Sequence, residues 1–235
     1  MSETDRIREW YETEYGPEGA GHWSVRDGRS MYFRQVAERA VLAVLNRAGA
    51  DLGGDVLDVG CGDGGYTRFL VHLGADPART TGIDLVPGRV ETARRLSPPS
   101  MNWEVADATS LPFDDGSFDV VAQFGTLCNL REPRLRLLAA DEMARVLRPG
   151  GFVLWFDIAH STLKEVHGIP PQELRELFPD MEVVAERPAL VRGTWLLARR
   201  TPTLCSVLEG AGRVLPCTNL AALLRRATSS AAGSP

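Results

Sequence analysis

No run of apolar residues in this 235-residue sequence approaches the roughly 20 that a membrane-spanning helix needs. The opening stretch, MSETDRIREWYETEYG, is polar and charged throughout, so no signal peptide is expected and a cytoplasmic location is. Cysteine is scarce: Cys61, Cys128, Cys205 and Cys217 form no C-x-x-C pair and lie near no histidine at zinc-ligand spacing. Reduced thiols and no metal site are therefore expected. A basic excess is lacking too, with 26 Lys+Arg against 31 Asp+Glu and a net charge of −5. That balance argues against nucleic acid as a partner, because phosphate binding rests on displaced counterions. What remains is 44% hydrophobic and 24% charged residues, enough to build one core under a soluble surface.

Order along the chain comes from periodicity. Residues 1–50 read as a helical cap or lid, broken at GPEGAG from Gly16 to Gly21. Within it, Ser30–Ala48 places Met31, Phe33, Val36, Ala40, Val41, Val44 and Leu45 on one helical face. From Asp55 the pattern alternates. Strands are expected at Asp55–Val59, Thr81–Asp84, Asn102–Ala106, Phe118–Phe124 and Gly151–Ile158, and helices at Tyr66–Leu73, Pro87–Leu96 and Arg134–Leu147. The last helix is expected to stop at Arg148-Pro149-Gly150-Gly151 and to turn there into the fifth strand. Glu182–Ala189 and Thr218–Arg225 read as closing strands around a helix at Leu204–Ala211. This alternation is the signature of an α/β fold, a parallel sheet with helices on both faces. The domain is expected over 51–226, with an acceptor-side insertion near 159–217 and a disordered tail over 227–235.

Chemistry concentrates at Val56-Leu57-Asp58-Val59-Gly60-Cys61-Gly62-Asp63-Gly64-Gly65, an apolar strand running into a glycine turn that opens a helix. Gly60, Gly62 and Gly65 satisfy G-x-G-x-x-G, which suits dinucleotide enzymes as well as other adenosine binders. Charge separates the two. Asp58 stands two residues before the first glycine and Asp63 within the turn, and a carboxylate beside a pyrophosphate costs about 1–4 kcal/mol per close pair. An adenosine compound carrying a sulfonium and an ammonium, such as S-adenosylmethionine, meets attraction instead; Asp58 can equally tie down the loop amides. Gly82-Ile83-Asp84-Leu85 ends the second strand on a carboxylate able to accept from ribose hydroxyls, or to cap a helix. Asp107, after the third strand, can accept from an adenine amine while Ala108 donates its amide.

These three blocks, with Phe118-Asp119-Val120-Val121 and the segment Glu142–Gly151, resemble the class I, Rossmann-like S-adenosylmethionine-dependent methyltransferases, in particular their type 11 small-molecule group. The resemblance runs from about Asp55 to Ile158. It implies a three-layer, seven-stranded, mostly parallel sheet whose last strand is antiparallel. It also implies S-adenosylmethionine as cofactor, across the carboxyl ends of the first strands. Carried over by position, Asp58, Gly60, Cys61 and Gly62 surround the methionine part, Asp84 with Leu85 the ribose, and Asp107 with Ala108 the adenine. Gln123 faces the cofactor from the fourth strand. Where many relatives carry paired histidines, this chain has Cys128-Asn129. More loosely, Gly168–Leu174 and Thr218–Arg225 resemble relatives associated with sugar and polysaccharide modification.

The resemblance points to methyl transfer onto a small molecule, foremost a sugar or secondary-metabolite hydroxyl, with N- or C-methylation as alternatives. Two other classes are weighed against it, a nicotinamide-dependent oxidoreductase and a cofactor-binding protein that transfers nothing. Of the four histidines, His160 follows the fifth strand at the edge where the acceptor is expected, with Asp157 three residues earlier, and is a candidate base. His22, beside Trp23, is a second candidate in a lid that Tyr11 and Tyr15 would share. His72 falls inside a helix and reads as structural, and Cys61 reads as packing within the turn. The expected partner is a small-molecule acceptor, with neither nucleic acid nor membrane, and a homodimer is an admissible assembly.

Overall fold

A computed structural model describes residues 28–162, 166–198, 201–210 and 216–228, with Asp5, Arg6, Arg8, Glu9 and Thr13. Seven strands form one sheet: β1 (Val56–Val59), β2 (Thr80–Asp84), β3 (Asn102–Val105), β4 (Phe118–Phe124), β5 (Leu147–Ile158), β6 (Met181–Val191) and β7 (Cys217–Arg226). Their order is β3-β2-β1-β4-β5-β7-β6, and β7 alone runs antiparallel to its neighbours. This is the α/β sheet expected from the sequence, antiparallel final strand included. The order reverses between β1 and β4, which opens a crevice at their carboxyl ends.

Helices α1 (Gly28–Ala48), α2 (Gly65–His72) and α3 (Pro87–Leu96) cover one face, and α4 (Pro133–Val146) and α5 (Pro171–Leu177) cover the other. Short helices α6 (Thr194–Leu197) and α7 (Pro202–Gly210) connect β6 to β7. Proline opens α3, α4 and α5, where its missing N–H costs nothing and its fixed φ suits the first turn. Because both faces are covered, β1 and the centres of β4 and β5 are buried along their whole width, and their sequences are almost unbroken apolar runs.

The structure departs from the sequence reading in four places. Residue Leu147 enters β5 directly from α4, without an intervening turn, and pairs with Phe118 ahead of a register shift. On α1 the buried stripe includes Tyr32 and leaves Met31 39% exposed; Tyr32 donates its hydroxyl to Glu209 on α7 at 2.8 Å. Its 32-36-40-44 spacing matches the helical repeat better than one that starts at 31. Helices α5 and α6, both short, were not expected from periodicity. Finally, α1 packs against β5, β6 and β7 as a wall of the sandwich. The segment Gly16–Gly21 and residues 229–235 lie outside the described residues.

At the amino edge of the sheet, Asp55 receives two hydrogen bonds from Arg79, both 3.0 Å, and one from Arg148 at 2.8 Å. Asp119 joins this cluster through Arg148 and through the backbone N–H of Asp55.

Candidate functional site

The glycine turn is fixed from below. Gly60 and Cys61 both donate their N–H to the carbonyl of Ile83 at 2.8 Å, which folds the end of β1 over β2. Gly60 holds φ at +75°, and a Cβ there would sit 2.2 Å from Thr126 Oγ1. That hydroxyl in turn donates to the carbonyl of Val59 at 2.8 Å. Only glycine combines this dihedral with this clearance. Gly62, at φ +58°, is covered differently: its Cβ would meet the Arg89 guanidinium at 2.2 Å. Arg89 belongs to the first turn of α3, and no motif in the sequence announced it. The turn is therefore not lined by acidic groups alone, as the sequence suggested, and a cation lies against its second glycine.

Each expected carboxylate has a distinct place. Asp84 is buried at the end of β2 and accepts from Gly62 N and Val86 N, both 2.9 Å, so it joins the turn to the start of α3. Asp63 is exposed and accepts from Gly65 N at 3.1 Å, a local loop tie. Asp107 accepts from the amide and hydroxyl of Thr109 at 2.9 and 2.8 Å. Asp58 is wholly buried beneath the turn, where its Oδ2 accepts from the Thr67 hydroxyl at 2.6 Å and its Oδ1 has no donor. Burial pushes this carboxyl up to about 7, opposed by Thr67 and reinforced by the nearby charge of Asp84.

Above these groups opens a cleft continuous with solvent, about 530 Å³ when the open space at its mouth is included. Gly60, Asp84, Leu85, Asp107 and Ala108 line it, joining turn, β2 and the segment after β3 around one space. Opposite them stand Asn129, of the pair noted in the sequence, and Thr126 and Leu130, which sequence reasoning did not single out because they follow β4 in a stretch without regular periodicity. Asn129 is held by an Nδ2 hydrogen bond to the carbonyl of Gly125 at 2.7 Å. Cys61 turns into the apolar cluster of Val90, Ala93, Met101 and Trp103, and burial raises its thiol well above the ordinary range. Gln123 is fully buried; its Oε1 accepts from Thr126 N at 2.9 Å, while its Nε2 has no acceptor.

The histidine candidates separate. His160 is exposed just past β5, its backbone N–H donating to Thr218 at 3.1 Å. Asp157 does not orient it: that carboxylate is buried and accepts from Cys128 N and Ile158 N, and burial raises it to about 6. The expected pairing is corrected accordingly, since alternation along the strand sends residue 157 into the core. His22, Trp23, Tyr11 and Tyr15 lie outside the described residues. His72 is exposed at the end of α2. Among the described residues no three of His, Cys, Asp or Glu gather to hold a metal.

Comparison with known proteins converges on this geometry. Residues 57–155 match the family described as a methyltransferase domain. A probable phthiotriol/phenolphthiotriol dimycocerosates methyltransferase of Mycobacterium ulcerans is 40% identical over 116 residues, 48% of this chain and 43% of that protein. A 2-methyl-6-phytyl-1,4-hydroquinone methyltransferase of Synechocystis is 39% identical over 45% of this chain and 32% of its own length. The chain thus spans less than half the length of the curated relatives it matches. An S-adenosylmethionine-dependent methyltransferase of Mesorhizobium loti superposes with a TM-score of 0.60 at 17% identity, covering 80% of this chain and 98% of that one. Residues 57–155 are thus those of a methyltransferase domain, and the fold is the class I, Rossmann-like one of S-adenosylmethionine-dependent methyltransferases.

Proposed function

We propose that the chain transfers the methyl group of S-adenosylmethionine to a hydroxyl of a small molecule, a sugar or secondary-metabolite alcohol. The observation that carries this reading is the buried Asp58 oxygen without a donor beneath the glycine turn. A carboxylate in that state is costly beside a phosphate and is relieved by a cation. The residues present fit such a cofactor. Asp84 keeps lone pairs beyond its two backbone donors and can accept from ribose hydroxyls. Asp107 and Ala108 flank the far end of the cleft for the adenine, and Gly60 with Gly62 lets the methionine part approach the backbone. Arg89, against Gly62, suits that part's carboxylate.

When bound, the cofactor supplies an activated methyl on a sulfonium. The protein's task is then alignment, which in well-oriented systems is worth effective molarities of about 10⁵–10⁸ M. A small hydroxyl-bearing acceptor is in keeping with the two relatives, whose names describe a triol and a hydroquinone. The segment ahead of α1 serves as cap and the chain between β5 and β6 as the acceptor side, with His160 at its rim. In support, Arg6 donates to the carbonyl of Asn129 at 2.8 Å, which brings this one side chain to the cleft wall. We place the protein in the cytoplasm, in keeping with its four free thiols.

Calorimetric titration with S-adenosylhomocysteine tests the reading. Micromolar-range binding that weakens clearly in Asp84→Ala and Asp107→Ala supports it, and binding unchanged in both variants overturns the assigned cleft.

A further inference from the structure

A second cluster of charged side chains adjoins the cleft behind the turn that follows β4. His167 Nε2 lies 2.8 and 3.1 Å from the two oxygens of Glu173 on α5. Glu173 is held by Arg136 Nε at 2.9 Å, and the Arg136 side chain is only 4% exposed. This assembly is fastened to the cleft wall at two points. His167 donates its backbone N–H to the carbonyl of Cys128 at 2.8 Å, and Arg136 donates to the carbonyl of Leu130 at 2.7 Å. Between those two residues stands Asn129, which faces the cleft, as Leu130 does. Gly168 packs against the backbone of Ala159 and His160, so His167 sits between the carboxyl ends of β4 and β5. Its side chain is 36% exposed.

We propose that His167, oriented by Glu173 and Arg136, is the base that takes the proton from the acceptor hydroxyl. The inference rests on the methyl-transfer reading above and deepens it. With Glu173 ionised, its oxygens demand a hydrogen on Nε2, which fixes the neutral tautomer and leaves the basic lone pair on Nδ1. Arg136 fixes the Glu173 carboxylate against the ring, so that an imidazolium formed next to it is stabilised. As the acceptor reacts, its O–H bond breaks and an N–H bond forms at Nδ1. The oxygen uses its freed pair to bond the methyl carbon, and the carbon–sulfur pair leaves with sulfur as a neutral thioether. The imidazolium then returns its proton to solvent. Glu173 and Arg136 are positioning residues in this scheme.

Nitrogen-detected NMR of the imidazole tests the orientation without any acceptor, about two units above the ordinary histidine value of about 6.5. The expected result is the Nε2–H tautomer of His167 in the wild type and a mixture of tautomers in Glu173→Gln. An Nδ1–H tautomer in the wild type overturns the proposal. Methyl transfer to hydroquinone from a radiolabelled donor supplies the second arm. His167→Gln keeps an amide donor for Glu173, so the link between α4 and α5 survives. It should lower kcat by about 10²–10⁴-fold and flatten its rise with pH through the imidazole range. S-adenosylhomocysteine affinity should stay within about twofold. A kcat within about threefold of wild type with the same pH profile overturns the base assignment. Absent S-adenosylhomocysteine binding in the wild type instead sinks the cofactor reading, which keeps the two failures apart.

Discussion

Asp55 and Asp58 stand three residues apart at the two ends of one strand, and the sheet treats them in opposite ways. Asp55, at the amino edge, is paired with Arg79 and Arg148, and those hydrogen bonds hold its carboxyl down at about 2. Asp58, at the carboxyl edge, has one hydroxyl partner and an oxygen without a donor, and burial pushes it up to about 7. The first arrangement is complete within the chain, whereas the second leaves a buried oxygen without a donor. Carboxylates with satisfied partners mark where the protein holds itself together. Those left wanting mark where a cation is expected.

Removing Asp84 should separate the edges most sharply. Asp84→Ala strips the acceptors from Gly62 N and Val86 N, two donors at the base of the cleft. Buried donors left unpaired cost about 1–3 kcal/mol each. S-adenosylhomocysteine affinity should fall by about 100-fold, a loss of about 2.7 kcal/mol. Calorimetry reads the affinity and thermal unfolding the stability. A large drop in stability with unchanged affinity would make Asp84 a structural tie like Asp55.

Asp58 gives the next effect, through pH. A raised carboxyl value favours the protonated form in the folded chain. The stabilisation it brings is complete below about pH 4 and is lost as pH rises through about 7. The full span is on the order of 4 kcal/mol at most. In Asp58→Asn that part of the slope in urea-derived stability should vanish. Cofactor binding should release a proton in the wild type below about pH 7, because a cation favours the carboxylate. Affinity for S-adenosylmethionine should therefore tighten as pH rises through the same window. Calorimetry in buffers of differing ionisation heat measures the proton; none released would detach Asp58 from the ligand.

The carboxyl edge was far more legible in the sequence than the acceptor side. Asp58, Gly60, Asp84 and Asp107 each close a strand, so a short window of alternating apolar residues followed by glycine or aspartate shows them. The placement of Gly60, Asp84 and Asp107 around one cleft, with Asp58 buried beneath it, follows from strand order. The cluster of Arg136, His167 and Glu173 has no such window. Its members lie 31 and 37 positions apart along the chain from Arg136, in a helix, a loop and a seven-residue helix. Three-dimensional packing joins them, and no residue type or spacing announces it. Arg89 was hidden for the same reason, since it reads as one more surface arginine on α3 until Gly62 is seen beneath it. The start of β5 was misplaced because Pro149-Gly150-Gly151 reads as a turn, yet burial of Leu147 and its pairing with Phe118 draw the segment into the sheet.

Arg89 sharpens the comparison from the opposite sign. If the carboxyl edge were built only for cations, a guanidinium against Gly62 would weaken ligand binding. If it meets the ligand's carboxylate, Arg89→Gln should reduce S-adenosylhomocysteine affinity about three- to tenfold, the scale of one partly solvated charged contact. A methyl ester of that ligand should then bind wild type and variant alike. Tighter binding by Arg89→Gln would show the guanidinium to be a competitor.

The smallest effect belongs to the amino edge. A lowered carboxyl value stabilises the fold above about pH 4, and this contribution fades as pH falls towards about 2. Asp55 is partly open to solvent at the sheet edge, so screening keeps its share under about 1 kcal/mol. Asp55→Asn should lower stability near neutral pH by less than that, and the difference from wild type should close in acid. S-adenosylhomocysteine affinity should not move, because Arg79, Arg148 and Asp119 surround the end of β1 remote from the glycine turn. An affinity change beyond about threefold in this variant would mean that the two edges are coupled through the four residues of β1, and the division between holding and binding carboxylates would fail.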